Sequence, residues 1–153
     1  MNNIQNVKNF WETNPLFVGE SNAKEGSKQF FQEHSLIYLN DCFSGEFDEK
    51  CFPIDIKNRD VLDLGCGPGF WVERMSKKNP RMIYACDLTE KALELTKKRC
   101  KFLSIDNFKL IQANAENLPF GDNAFDFINC QGVVHHTPNT SNAISEISRC
   151  LKP

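Results

Sequence analysis

Two carboxylates, three glycines and a pair of imidazoles stand at spacings that chemistry can use. Residues 61–69 read Val-Leu-Asp-Leu-Gly-Cys-Gly-Pro-Gly. Val61, Leu62 and Leu64 make a short apolar strand that runs through Asp63 into a turn at Gly65, Gly67 and Gly69, just before a helix. Glycine accepts positive φ and lets a ligand lie against bare backbone. A strand, a glycine turn and a helix in that order build the nucleotide crevice at the carboxyl edge of an open α/β sheet. Asp87 falls 20 residues beyond Gly67, at the end of a second apolar run. A charged carboxylate there accepts hydrogen bonds from two ribose hydroxyls; the competing reading is a cap for the helix that follows. His135 and His136 come after a fourth apolar run. An imidazole titrates near neutrality and can take a proton from an acceptor oxygen or nitrogen. The bland alternative is that the pair fixes its own loop. Adjacent residues on one turn point apart, so at most one is expected to act as a base. A two-histidine metal site would need further ligands that the chain does not offer, so no metal is expected.

The glycine spacing separates two kinds of nucleoside cofactor. A dinucleotide turn reads G-x-G-x-x-G, its third glycine giving close helix–strand packing. That glycine would fall at position 70, which is Phe70. The chain has G-x-G-x-G instead, with Asp63 two places before the first glycine. This resembles the first motif of class I S-adenosylmethionine-dependent methyltransferases, (D/E)-x-G-x-G-x-G, and is complete at Asp63, Gly65, Gly67 and Gly69. Asn114-Ala115-Glu116-Asn117-Leu118-Pro119-Phe120 is similar to the (D/N)-A-E-x-L-P-F segment of that family, whose first residue addresses the adenine edge. Gln131 and Gly132 occupy the stretch that lines the methionine half of the cofactor. The resemblance implies S-adenosylmethionine as cofactor. The contacts it implies come from Asp63, Gly65, Cys66, Gly67, Gly69, Asp87, Leu88, Asn114, Ala115, Glu116, Gln131 and Gly132, with His135 or His136 as catalytic candidates. The ending Ser-Arg-Cys-Leu-Lys-Pro looks like the family's R-x-L-K-P-G-G stretch, which leads into a fifth strand.

Alternating periodicities supply the elements that must hold these residues. Strands are expected at 60–65, 82–86, 108–112 and 125–130, with helices near 69–78, from Thr89, and from about Ser141. Strand–helix alternation implies a parallel sheet with right-handed crossovers. The fold class is therefore α/β, a Rossmann-like, doubly wound, mostly parallel sheet holding strands one to four of the family's usual seven. Ala92, Leu95, Thr96 and Arg99 share one side of the second helix. Ile144, Ile147 and Leu151 are expected to face inward from the last. Residues 1–57 read as a helical cap or lid, 58–153 as the cofactor-binding domain. In the cap, Phe30, Phe31, His34, Ile37 and Tyr38 step as one amphipathic helix behind Gly26-Ser27. Trp11, Phe17, Phe30, Phe31 and Tyr38 are its candidates for covering the site.

Composition narrows the function. A formal net charge of −2 over 153 residues gives no global attraction to nucleic acid. Lys77, Lys78, Lys97, Lys98, Arg99 and Lys101 read as solvated helix surface. Seven cysteines (42, 51, 66, 86, 100, 130 and 150), with no C-x-x-C pair, suit free thiols in a reducing cytoplasm. There is no signal-peptide pattern and no apolar run near the roughly 18 residues a membrane span needs. The chain stops inside the family's closing phrase, so a fragment or truncated product is expected. Strand four would then be an exposed apolar edge open to self-association. The expected activity is methyl transfer to the oxygen, nitrogen or carbon of a small molecule. The alternatives are a methyltransferase acting on tRNA or protein and a non-catalytic cofactor-binding module.

Overall fold

β1 (Asp60–Leu64) is buried from Val61 to Leu64, as a central parallel strand must be when helices cover both faces. The computed structural model describes residues 3–48, 52 and 55–153. Cys51 and Pro53, where the sequence suggests a free thiol and a change of pattern, lie outside them. β1 pairs in parallel with β2 (Met82–Asp87) on one side and β4 (Phe127–Asn129) on the other. β3 (Phe108–Gln112) adds outside β2, giving the order β3-β2-β1-β4. Helices α3 (Phe70–Ser76), α4 (Glu90–Leu103) and α5 (Thr140–Cys150) connect or flank these strands. Alternate residues of β1 feed two cores. Val61 joins Phe70, Trp71, Met75 and Ile83, whereas Leu62 and Leu64 join Cys86, Leu118, Phe125 and Ala143.

β4 is shorter than the expected 125–130. Phe125 instead makes an isolated parallel bridge with Leu151, and Lys152 N–H donates to Phe125 O at 2.9 Å. The chain's last residues therefore turn back along the start of β4. This explains why Leu151 does not face the core as a helical residue: α5 ends at Cys150. Ile144 is 54% exposed, and the buried stripe is Ala143 and Cys150 with Ile147 packed beside them. Ile147 packs inward as expected, while positions 143 and 150 replace 144 and 151, one residue earlier, and helical geometry allows only one such stripe to face the sheet.

The described residues before β1 hold two α-helices where the sequence predicts one. α1 (Ile4–Thr13) is capped by Asn3, and α2 (Lys28–Phe43) by Ser27, whose side chain accepts from Phe30 N–H. The α1 signal was present in Ile4, Val7 and Trp11 at three- and four-residue steps. Phe30 and Phe31 do not cover the site; they pack on Leu95 of α4 in a cluster of their own. Arg99 is not surface: its side chain is 1% exposed. It donates to Glu73 (3.1 Å), Ser35 Oγ (3.0 Å) and His34 Nδ1 (3.0 Å), joining α2, α3 and α4. A buried guanidinium is tolerated only with such partners. Burial holds its pKa down, to about 10, against the raising effect of Glu73.

The β1–β4 register sets Asp63 beside Asn129, whose Nδ2 donates to Asp63 Oδ1 at 2.7 Å. Asp63 Oδ2 is buried with no hydrogen-bond partner among the described residues. Desolvation, and to a smaller extent the nearby Asp87, push its pKa from the ordinary 3.8 up to about 7, although the Asn129 bond lowers it. A raised folded-state pKa stabilises the fold fully below about pH 4, and that stability is lost as pH rises through 7. The melting temperature of the wild type minus that of Asp63→Asn should accordingly fall between pH 4 and 7 and level off above. Glycines 67 and 69 separate in the same way. A Cβ on Gly69 (φ 82°) would lie 3.0 Å from Thr96 Oγ1 and 3.3 Å from its Cα, whereas one on Gly67 (φ 50°) meets nothing within 4 Å. Gly69→Ala should therefore cost about 2 kcal/mol or more in chemical denaturation. Gly67→Ala should lose only the roughly 1–2 kcal/mol of a left-handed backbone.

Candidate active site

The carboxyl ends of β1 and β2 open into a cavity of about 290 Å³. Its floor is the glycine turn, and hydrogen bonds lock that turn from three sides. Gly65 and Cys66 N–H both donate to Cys86 O at 2.7 and 3.0 Å, and Gly69 N–H donates to Cys66 O at 2.9 Å. Thr96 Oγ1, on α4, donates to Gly67 O at 2.7 Å. Gly67 N–H donates to Asp87 Oδ2 at 3.0 Å. The turn's amides are thus largely spent within the protein, unlike the free amides with which a phosphate-binding turn grips its anion.

Asp87 uses both of its oxygens within the protein. Oδ2 takes the Gly67 amide, while Oδ1 accepts from Thr89 N–H (2.9 Å) and Thr89 Oγ1 (2.8 Å), tying β2 to the start of α4. Thr89 in turn caps α4. Burial raises the Asp87 pKa, and the Thr89 and Gly67 hydrogen bonds oppose it. Oδ1 is filled by its two Thr89 donors, whereas Oδ2, with the Gly67 amide alone, keeps one acceptor site, since a carboxylate offers about four lone-pair sites.

Of the residues expected to hold a cofactor, the structure brings Gly65, Cys66, Gly67, Asp87, Leu88, Asn114, Ala115, Gln131 and Gly132 to this one cavity, along with both His135 and His136. Asp63, Gly69 and Glu116 are not on its wall. Asp63 lies buried behind it. Gly69 serves the close approach of α3 to α4. Glu116 Oε1 accepts from Asn139 N–H at 2.8 Å, fastening its loop to the start of α5. The glycines divide likewise. A Cβ on Gly65 would strike Val133 Cγ2 at 2.2 Å, so its bareness serves the protein's own packing, whereas Gly67 and Gly132 face open space. Asn114 Oδ1 accepts from Glu116 N–H at 3.0 Å. The Cys66 thiol is buried and pushed well above its ordinary range, chiefly by desolvation, so it is no nucleophile.

The other wall comes from the cap and the His135–His136 turn. Ile4, Val7, Trp11, Leu16, Tyr38 and Val133 line it, and the site-facing role of α1 had no counterpart in the sequence reading beyond Trp11. His135 and His136 sit on a single 3-10 turn (Val134–His136) with ring centroids 3.9 Å apart. Contrary to expectation, the two imidazoles reach the same cavity, because a 3-10 turn this short lets both rings fold to one side. Burial and then the charge of His135 hold the His136 pKa below its usual value. Tyr38 stacks on Phe70 (4.1 Å, 14°), and its hydroxyl accepts from Trp71 Nε1 at 3.1 Å. No lysine or arginine is among the lining residues. Among the described residues no cluster of three metal-ligating side chains occurs, and no helix is long and apolar enough to cross a membrane.

Comparison with known proteins places this geometry. A family described as a methyltransferase domain matches residues 62–153. The chain is 34% identical over 112 residues to the ubiquinone/menaquinone biosynthesis C-methyltransferase UbiE of Rickettsia prowazekii, covering 69% of this chain and 45% of that protein. It is 35% identical over 104 residues to the tRNA U34 carboxymethyltransferase of Nautilia profundicola, covering 65% and 33%. The crystal structure of a SAM dependent methyltransferase from Aquifex aeolicus superposes with a TM-score of 0.59 at 26% identity, covering 65% of this chain and 55% of that one. The chain thus spans less than half the length of these two curated relatives. With the matched segment running from the third residue of the central strand through every wall of the cavity that the sheet supplies, the chain belongs to the methyltransferase domain family.

Proposed function

We propose that the cavity binds S-adenosylmethionine and that the protein transfers its methyl group to a small, apolar, ring-bearing acceptor. One observation carries the reading: the glycine turn has spent its amides internally, stands beside two acids, and has no cation on the cavity wall. A diphosphate would meet repulsion there, because its recognition needs free amides or basic side chains. A sulfonium with a neutral ribose suits it. The residues fit that group, since Gly67 leaves open space where any other residue would put a Cβ, and Asp87 Oδ2 retains an acceptor site beside it. Asp63 adds negative potential from behind the floor. When bound, S-adenosylmethionine supplies a methyl group already activated on sulfur.

The chain's own part is then to hold, orient and exclude water. Asp87 would accept from the ribose hydroxyls, and Asn114 with the Ala115 segment would meet the adenine edge. The Gln131–Gly132 backbone would flank the methionine half. Ile4, Val7, Trp11, Leu16 and Val133 would enclose the acceptor. Orienting a reactant in this way supplies on the order of 7–11 kcal/mol in favourable cases. His136, held mostly neutral at physiological pH, would take the proton from an acceptor hydroxyl or amine. The apolar enclosure and the similarity to the quinone-type C-methyltransferase support a small molecule. Similarity to the tRNA enzyme favours a second reading, in which the acceptor is an RNA base. The lack of a lysine or arginine on the cavity wall speaks against it, because RNA affinity rests largely on phosphate neutralisation by basic residues.

Calorimetric titration with S-adenosylhomocysteine and, separately, NADH tests the cofactor. Heat from the first and none from the second is expected, and NADH binding alone would overturn the reading. Asp87→Ala should weaken S-adenosylhomocysteine by about 1–3 kcal/mol; an unchanged affinity would leave Asp87 only its capping role. For turnover with a hydroxyl acceptor, the acid limb of kcat should lie below the ordinary histidine range, the direction in which His136 is shifted. His136→Asn should remove that limb. His135→Asn should move it to higher pH, because the neighbouring charge that depresses His136 is gone.

A further inference from the structure

We infer that Trp11 is a positioning residue of the acceptor compartment, and that Glu12 is the latch that puts it there. The inference deepens the reading of the cavity as a methyl-transfer site and rests on it. Glu12 belongs to the last turn of α1, yet its carboxylate closes the first turn of α4, some 78 residues further along the chain. Oε2 accepts from Glu90 N–H at 3.0 Å and Oε1 from Lys91 N–H at 2.9 Å. A helix leaves its first amides without intrahelical partners. Here the local cap, Thr89, reaches only Ala92 N–H, at 3.4 Å. The two amides before it are satisfied by a residue from another element. The negative charge also lies at the positive end of the α4 dipole. An ion pair between Lys91 and Glu25 fastens the following stretch of the cap to the same turn.

That clamp fixes the neighbouring residue. Trp11 meets His136 edge-on, with ring centroids 5.0 Å apart and planes at 67°, while the His135 ring lies tilted at 45° to that of His136, 3.9 Å away. Ring pairs at such distances favour edge-to-face geometry, so the Trp11 indole restrains where the His136 ring can turn. The same helix presents Ile4 and Val7 to the cavity. α1 is thus pinned at its far end, beside the Asp87–Thr89 corner, and a change at Glu12 reaches His136 through Trp11. Among the described residues, the charged neighbour acting on His136 is His135. The latch therefore works by holding an aromatic wall against the ring rather than by adding a charge.

The test is an NMR titration of the histidine Cε1–H resonances in the full chain, alongside hydrogen exchange of the α1 amides. Glu12→Ala, which leaves Trp11 in place, should shift the His136 resonance out of the indole ring current and raise its titration midpoint. It should also speed α1 exchange about fivefold, the order expected for a lost helix cap. Trp11→Leu should reproduce the His136 change without the exchange change, and Trp11→Phe should restore most of it. Glu12→Gln keeps the packing and one acceptor oxygen, so a smaller shift in the same direction covers the case in which Glu12→Ala fails to fold. A His136 titration and ring-current shift indifferent to both Glu12 substitutions would overturn the proposal. Titration of the wild type with S-adenosylhomocysteine separates the two levels: absence of binding counts against the methyl-transfer reading, and the NMR outcome decides the latch.

Discussion

The Gly67 amide donates to Asp87 Oδ2 across the carboxyl ends of two neighbouring strands, and the cavity has its shape because of that bond. It holds the glycine turn down onto the end of β2. Asp87 can reach Gly67 only because β1 and β2 run parallel in a register that sets Leu64 beside Cys86. The other Asp87 oxygen then fixes Thr89 and so the start of α4. From α4, Thr96 returns to hold the Gly67 carbonyl. One closed loop of hydrogen bonds thus joins two strands, a turn and a helix. A side chain with two acceptor atoms is the smallest group that can close it.

Charge follows from that architecture. A carboxylate drawn into a desolvated corner, with a second carboxyl at Asp63 behind the turn, makes the floor electronegative. Burial raises both acids, and the hydrogen bonds from Asn129 to Asp63 and from Gly67 and Thr89 to Asp87 oppose that rise without cancelling it. Because the turn has used its amides on Cys86 and Asp87, nothing there offsets the negative potential for an incoming anion. An incoming anion therefore meets neither a free Gly65, Cys66, Gly67 or Gly69 amide nor a basic side chain at this turn.

Above the floor, the cap is held by polar bonds as much as by apolar packing. His34 Nε2 meets Leu16 O at 3.1 Å and His34 Nδ1 accepts from the buried Arg99, so the segment after α1 is wired to α4 through α2. Desolvation and Arg99 hold His34 down to about 4, which keeps it neutral and able to serve both contacts. Glu12 ties the end of α1 to the same helix. The wall formed by α1 and the segment after it is consequently positioned from α4, the helix that also backs the glycine turn, and the two halves of the cavity share one support.

The chain's own residues made several things legible. The strand and turn at 61–69, the acid at 87, Thr89 as a helix cap and the shared helix side at Ala92, Leu95 and Thr96 all follow from local rules: glycine for positive φ, side-chain oxygens at helix starts, and helical periodicity. Parallel order followed from strand–helix alternation. Tertiary structure alone decided the rest. Arg99 looked like surface charge because nothing local announces Glu73, Ser35 and His34 as partners. Ile144 looked inward because its hydropathy matches Ile147, and only the sheet's position shows which stripe of α5 it covers. Gly65, Gly67 and Gly69 are alike in sequence, yet one avoids Val133, one faces the cavity and one admits Thr96. Short-range sterics and capping act between neighbours in the chain, so the sequence alone determined them. Which bare backbone meets a ligand, and which acid meets an amide, depend on contacts between distant residues, which exist only once the sheet has closed.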